Sequence, residues 1–394
     1  MKKKLFTYLF IIFLIGFIIF VCKQRLDFSD PHIEIPNFKK NVEVKEKRIN
    51  ISAVGDLLFE SPLINADTET KNNYFSLVKD KFINDDISIA NMEVPIGNDS
   101  MTYSGDGYNF CAPPEIGKLV TSLDFEVLST ANNHAFDRGE QGIISTLDFF
   151  KDNSDFLTGG TYKDKNHEEA ILEKNGVKVG FISYTLGTNM DITNDDMINV
   201  YRDKYSKEFT ETKKELLKNE VSSLKEKVDI VIAIMHWGQE FTFEINKEQT
   251  TVANYLNSIG VNVIIGSHSH SIQPIDIIHG ENNDTLVFYS LGNFVSADDD
   301  IARTEKGYET FDNAYQFGLY TNFDLVLDDN KVTFENIKTE PIINYFDTNM
   351  KKFKLIPFSE YNTDLETSHY RYSLGLTNSF IDQTYKKVIK EEYR

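Results

Sequence analysis

Two histidines, His268 and His270, stand two residues apart just beyond a short apolar run of Val261, Val263, Ile264 and Ile265. A β-branched run of this kind reads as a buried central strand, and Gly266 stops it. Neutral imidazole is the commonest metal-ligating side chain. Two imidazoles at i and i+2, where the chain leaves a sheet, can converge on one ion or on two adjacent ions. Alone they fit exposed loop histidines equally well. The chain has only 8 histidines, however, and others fall in the same kind of place.

The ends of the other strands carry similar groups. Asp56 follows Ile49–Val54, Asn91 and Glu93 follow Ile87–Ala90, and Asn133 and His134 follow Phe125–Ser129. His236 follows Val228–Met235. If these strands share one parallel sheet, all of these groups lie along a single rim, where open α/β sheets place their functional residues. The set amounts to about seven donors, against the roughly four to six that one divalent ion takes. The mixed nitrogen and oxygen donors suit two ions, with Mn, Fe or Zn fitting better than Ca. Two ions about 3.5–4 Å apart can clamp a phosphoryl group and lower the pKa of a bridging water. His134 is then the candidate to protonate the leaving oxygen, since Asn133 can ligate while the imidazole faces substrate. Asp137, three residues on, can orient it. An Asp after a Gly is usually a turn residue and a His after a strand usually a polar cap; one such coincidence is common, a series of them is not.

The elements that would position these groups alternate along the chain. Helical spacing is expected over Tyr74–Phe82, Ile116–Leu123, Glu140–Phe150, Thr210–Lys227 and Glu248–Ile259. Further strands are expected at Phe156–Thr158, Ala170–Leu172, Val177–Tyr184 and Leu286–Tyr289, and a hairpin over Gln316–Leu327 and Val332–Ile343. Residues 97–109, 187–200 and 296–313 read as loops, the last as a lid. Beyond residue 345 the pattern fades until a helix at Ser379–Tyr393.

Composition narrows the class. With 41 Lys and Arg against 61 Asp and Glu, the net charge of −20 excludes a nucleic-acid binder, which needs a positive footprint. Leu5–Cys22 is an uncharged run, a membrane span at the short end of the range. A cleaved signal peptide would end at small residues, but Lys23, Gln24 and Arg25 follow; Phe20 and Val21 are too bulky for a lipoprotein site at Cys22. An uncleaved signal anchor is expected, with Lys2–Lys4 cytoplasmic and the rest of the chain outside the cell membrane. Beyond this run only Cys111 remains, so no internal disulfide can form there.

The ordered motifs are Gly55-Asp56, Asn91-Met-Glu93, Asn132-Asn-His134 with Asp137, His236-Trp-Gly238, Ser267-His-Ser-His270 and Ser290-Leu-Gly-Asn-Phe294. In this order they resemble the capsule-synthesis (CapA, poly-γ-glutamate) family of the calcineurin-like metallophosphatase superfamily, over about residues 49–300. The resemblance implies an α/β four-layer αββα sandwich with a dinuclear metal centre. It implies Asp56, Glu93, Asn133, His236, His268 and His270 as ligands of two divalent ions and His134 as the catalytic histidine. Leu58 and Glu93 stand where many of the wider phosphatases carry a ligating His and a bridging Asp. The implied layout is an anchor at 1–26, a linker at 27–48, the metallophosphatase-like domain at 49–345 and an extension at 346–394. The implied role is biosynthesis, export or attachment of a poly-γ-glutamate-like capsule polymer, with membrane-bound capsule-synthesis subunits as partners. Two other readings are a secreted-face phosphoesterase acting on a nucleotide or lipid-linked phosphate, and a non-catalytic polymer-binding scaffold.

Overall fold

A computed structural model describes residues 11–20, 46–106, 109–297, 313–328 and 331–394. The chain divides into two units at Val44/Lys45. In the first, residues 11–20 are helical, with apolar side chains such as Ile12 and Phe13 exposed. The expected span Leu5–Cys22 extends outside the described residues at both ends. Among the described residues no helix is long and apolar enough to cross a membrane. Most of the expected linker and of the 296–313 loop also lies outside the described residues.

The second unit contains fourteen strands: β1 Lys47–Leu57, β2 Ile87–Met92, β3 Val127–Ser129, β4 Leu157–Gly159, β5 Ala170–Lys174, β6 Val177–Thr185, β7 Ile230–His236, β8 Val263–Ser267, β9 Ile275–His279, β10 Asp284–Phe288, β11 Asn293–Val295, β12 Phe317–Asp328, β13 Lys331–Phe346 and β14 Phe353–Pro357. Its α-helices are α1 Ser61–Ile64, α2 Thr68–Asn73, α3 Pro114–Val120, α4 Gly139–Asn153, α5 Glu211–Lys225, α6 Lys247–Ile259, α7 Thr363–Ser368 and α8 Asn378–Val388. One eight-stranded sheet runs β14-β13-β12-β1-β2-β3-β4, with β11 pairing β1; a six-stranded sheet runs β5-β6-β7-β8-β10-β9.

Period-two alternation divides the strands between cores. Ile49, Ile51, Ile87, Ile89 and Phe323 of the first sheet meet Val179, Ile232, Ile234, Val263 and Phe288 of the second. The opposite face of the first sheet (Ala90, Met92, Leu128) packs on Leu63, Ile116, Val120 and Phe150 from α1, α3 and α4. The opposite face of the second (Val231, Ala233, Ile264) packs on Leu217, Val221, Val252 and Leu256 from α5 and α6. Four layers, helix–sheet–sheet–helix, follow directly.

The expected helix over Tyr74–Phe82 does not form. Asp67 caps an earlier, six-residue helix by accepting from the Thr70 amide at 2.7 Å, and Lys79–Phe82 is a single 3₁₀ turn. Tyr74, Phe75, Val78 and Phe82 are buried instead because they build an aromatic cluster, with Phe82 4.9 Å from Phe125 and Phe75 stacked on Phe294 at 6.2 Å. Their spacing records core packing, not helical period. Strands β9, β11 and β14 have no counterpart in the sequence expectations. Nor do the site-bearing strands share one rim: β1, β2 and β3 belong to the first sheet, β7 and β8 to the second. The apolar runs of β7 and β8 carry no mark of which sheet they join.

A bulge aims the key strand end. Ala53 pairs with Ile89 and Asp56 with Asn91, so β1 advances three residues while β2 advances two. Before the extra residue Ile49, Ile51 and Ala53 face the inter-sheet core; after it Leu57 faces the helices, which turns Asp56 inward. Here β12 gives way to β11, and Asp56 donates its amide to the Gly292 carbonyl at 3.0 Å. A Cβ on Gly55 would stand 1.8 Å from that carbonyl oxygen, so this backbone approach admits only glycine.

Residues 346–394 pack on the same unit. β14 pairs with β13, and Ile381, Tyr385 and Val388 of α8 join the inter-sheet core. His369 is fully buried: Nε2 donates to the Asn344 carbonyl at 3.0 Å and Nδ1 accepts from the Arg371 amide at 3.0 Å. Accepting at Nδ1 requires the neutral ring.

Gly55→Ala is expected to destabilise the protein by at least about 2 kcal/mol, measured as a lower urea midpoint; an unchanged midpoint would contradict the close approach. Burial lowers the His369 pKa from 6.5 to about 4. The folded state then resists a proton that the unfolded chain accepts, so the contribution is intact above pH 6.5 and is lost as pH falls toward 4. Between about pH 7.5 and 4.5 the wild type should lose up to about 3 kcal/mol more stability than His369→Gln. Parallel pH profiles for the two proteins would sink this assignment.

Candidate metal centre

The site forms where the carboxyl ends of β1, β2 and β3 meet those of β7 and β8. Asp56 leaves the bulge of β1, and Glu93 follows β2; neither is exposed to solvent. The Asp56 carboxylate accepts from Asn91 Nδ2 at 2.7 Å and from the His268 amide at 3.1 Å. Both Glu93 oxygens are buried without any hydrogen-bond partner. Such an orphaned carboxylate is what a ligand awaiting a cation looks like, since a buried polar group is otherwise almost always paired.

The second sheet supplies the imidazoles. His236 ends β7, with Nδ1 3.7 Å from Asp56 Oδ1 and Nε2 3.5 Å from Glu93 Oε1. His270 places Nδ1 3.7 Å from Asp56 Oδ2 and Nε2 3.8 Å from Glu93 Oε1. One ligand atom each from Asp56, Glu93 and His270 lie within 4.8 Å of one another. His268 Nδ1 is 3.1 Å and Asn133 Oδ1 2.8 Å from His236 Nε2. All six expected ligands are therefore neighbours in one buried cluster.

Local backbone explains how His268 and His270 get there. Both have positive φ, 90° and 51°, an arrangement that costs a non-glycine residue on the order of 1–3 kcal/mol. It is held from both sides. Phe241 donates its amide to the Ser269 carbonyl at 2.8 Å, and the Gln273 amide group donates to the Thr242 and Glu244 carbonyls. Gln249, in the capping box of α6, donates to Gln273 Oε1 at 2.8 Å.

Electrostatics points the same way. Burial raises the pKa of Asp56, opposed by His270 and by the bonds from Asn91 and His268. Burial raises that of Glu93 well above its usual value, reinforced by Asp56, Glu240, Glu60 and Asp137. Burial, then the neighbouring imidazoles, pushes His236 and His268 well below theirs. His236 and His268 are therefore held toward the neutral form beside two crowded carboxyl groups, and a divalent cation would relieve the crowding and use the free lone pairs.

His134 lies at the margin of the cluster, beside Asn133. Its Nδ1 is 2.7 Å from Asp137 Oδ2, which also accepts from the Phe110 amide at 2.7 Å. The Phe110 ring meets the imidazole edge to face at 4.7 Å. Asp137 therefore stands where the sequence placed it, next to His134.

Four supporting residues were not assigned such roles from sequence. Asn91 bridges Asp56 and His236, lying 3.3 Å from His236 Nδ1. Ser267 Oγ is 2.9 Å from the same nitrogen. Asn293 Oδ1 is 2.9 Å from His270 Nδ1, which fixes the tautomer that leaves Nε2 free toward Glu93. Asn189, from the 187–200 segment, brings Nδ2 to 3.4 Å from His134 Nε2 and its amide to 2.7 Å from the Asn133 carbonyl. Asn91, Ser267 and Asn293 sit inside the motifs already singled out; Asn189 had no signal.

Known proteins resemble this chain at several levels. PGA biosynthesis protein CapA of Bacillus subtilis (strain 168) is 29% identical over 252 residues, 63% of this chain, and the match spans only 63% of that relative's own length. Capsule biosynthesis protein CapA of Bacillus anthracis is 25% identical over 77% of this chain and 72% of its own. An apyrase of Tabanus yao is 29% identical over 36% of this chain and 24% of its own. Among solved structures, the calcineurin-like phosphoesterase YfkN from Bacillus subtilis has a TM-score of 0.40 and 14% identity over 87% of this chain and 96% of that one. A hypothetical protein from Thermus thermophilus also scores 0.40, at 16% identity, over 74% and 98%. The family model of the bacterial capsule synthesis protein PGA_cap matches residues 50–298, which hold every residue of the cluster and more than half of the chain, and the chain belongs to that family.

Proposed function

We propose that the protein works on the outer side of the cell membrane in making, exporting or attaching a poly-γ-glutamate-like capsule polymer, through a metal-dependent phosphoesterase-like site. The observation that carries the chemistry is the buried Glu93 carboxylate, left without a hydrogen-bond partner between Asp56, His236 and His270. Family membership supports the pathway, and the uncharged run Leu5–Cys22 supports an anchor.

Asp56, Glu93, Asn133, His236, His268 and His270 would hold two divalent ions of the Mn, Fe or Zn type. When bound, such ions polarise a phosphoryl group and supply hydroxide at neutral pH. The chain's own residues do the rest. Asn91 and Asn293 orient Asp56 and His270, while the layers around the site exclude bulk water. His134, held by Asp137, keeps a proton within reach of a leaving oxygen at Nε2, and Asn189 faces that nitrogen. Membrane-bound capsule-synthesis subunits would meet the protein near its N-terminal anchor.

Two outcomes are expected. Glu93→Gln should raise the Tm of metal-free protein by removing an acid that is costly to bury among other carboxyl groups, and should abolish the Mn²⁺-induced rise of wild type, worth about 2.7 kcal/mol at 100-fold Kd. A variant that keeps the full Mn²⁺ response would remove Glu93 from the ligand set. Full-length protein loaded with Mn²⁺ should hydrolyse members of a phosphomonoester and phosphodiester panel, and His268→Ala should lose at least about 100-fold in rate. A folded, metal-loaded wild type inactive on the whole panel would overturn the hydrolytic reading and leave a site that binds polymer without cleaving it.

A further inference from the structure

A cavity of about 470 Å³ lies against the other end of the 187–200 segment, between β6, the β5 edge and α5, and none of the proposed metal ligands lines it. Its size is in the range of small-molecule sites. Ser183, on β6, lines it and is only 3% exposed, yet among the described residues nothing hydrogen-bonds its hydroxyl. Its oxygen opens into the cavity, where its hydrogen-bonding capacity is left for a ligand. Tyr162 stands beside it. Its oxygen accepts from Asn199 Nδ2 at 3.0 Å, which leaves the phenolic proton to give, and its ring stacks on His167 at 3.6 Å. Burial raises its pKa to about 12, so the proton stays. Glu220 accepts from the Tyr184 hydroxyl through Oε2, leaving Oε1 to accept.

The charge of the lining selects the ligand. Glu168, Glu169, Glu220, Asp195 and Asp196 face a single ammonium, that of Lys213. Lys213 is turned to the Val200 carbonyl at 2.9 Å. Lys227 and Lys204 neutralise only Glu169 and Asp195. Free phosphate or carboxylate would meet net repulsion here, whereas an ammonium would be attracted. Hydroxyl donors and acceptors around a flat aromatic wall complete a surface for a polyol.

We propose that this cavity binds a small hydroxyl-rich amine, the size of one amino sugar, through the Ser183 and Tyr162 hydroxyls and the Glu220 carboxylate. The site stands independently of the hydrolytic reading, since none of these three groups belongs to the metal cluster. The test is titration of full-length protein with D-glucosamine, D-glucose and L-glutamate, followed by calorimetry and saturation-transfer NMR. Glucosamine should bind saturably, about tenfold more tightly than glucose, and glutamate should not compete. Ser183→Ala should weaken glucosamine about fivefold or more, and Glu220→Gln should erase its advantage over glucose. Should Ser183→Ala fail to fold, Glu220→Gln alone decides. Absence of saturable binding, equal affinity for glucose and glucosamine, preference for glutamate, or binding that both variants retain would each overturn the proposal.

Discussion

Two carboxyl groups, Asp56 and Glu93, are buried together where the two sheets end, and among the described residues no Lys or Arg pairs with either. Removing each from water costs several kcal/mol, and their mutual repulsion adds to that. The rest of the core must hold this arrangement against its tendency to open. The face-to-face sheets with helices on both outer faces do so, because each strand that carries a donor is buried at that end. The bulge that turns Asp56 inward needs glycine at 55, since the Gly292 carbonyl occupies the space of a side chain. The left-handed His268 and His270 need the Gln249–Gln273 clamp. Strain, desolvation and crowding are concentrated in one place, which is the pattern of a site kept for binding.

The family domain and the tail depend on each other in the same way. On the side of β12 and β13, α8 contributes Ile381, Tyr385 and Val388 to the inter-sheet core. Tyr385 binds the Thr339 carbonyl at 2.7 Å, and Lys390 reaches Asp276 on β9 at 2.9 Å. Asn344, on β13, is bound by the His369 ring through its carbonyl and reaches the Asn293 carbonyl with its amide at 3.3 Å. Asn293 in turn orients His270. The C-terminal segment is therefore connected to the candidate metal centre through two hydrogen-bonded residues, Asn344 and Asn293.

Much of this was legible in the sequence because strand ends in α/β folds are marked twice, by an apolar run and by the polar residue that stops it. Asp56, Glu93, Asn133, His134, His236, His268 and His270 all carry that double mark, and all meet. Three features carried none. The Tyr74–Phe82 segment mimics helical spacing because its aromatic residues alternate between neighbours in a folded turn, and the cap at Asp67 that starts the real helix lies upstream. Apolar runs like β7 and β8 look the same in either sheet, so the split of the site between two sheets needed the register. Asn189 reaches His134 from a segment whose composition, three Asp among Thr, Asn and Met, says only that it is polar.

Charge sets how such a site could meet a polyanion of the proposed kind. The protein as a whole carries −20 and would repel it at long range. At physiological ionic strength that repulsion fades beyond about 8 Å, whereas attraction to ions held at Asp56 and Glu93 acts by direct coordination over shorter distances. Recognition would then arise from contact and not from steering. Added salt would weaken the repulsive term more than the coordinating one. Where a basic groove binds its polyanion less tightly as salt rises, a metal centre set in an acidic shell should hold its own or gain. The same argument fits the burial of the donors: ions held there would keep a local positive potential within a strongly negative protein because low-dielectric walls enclose them.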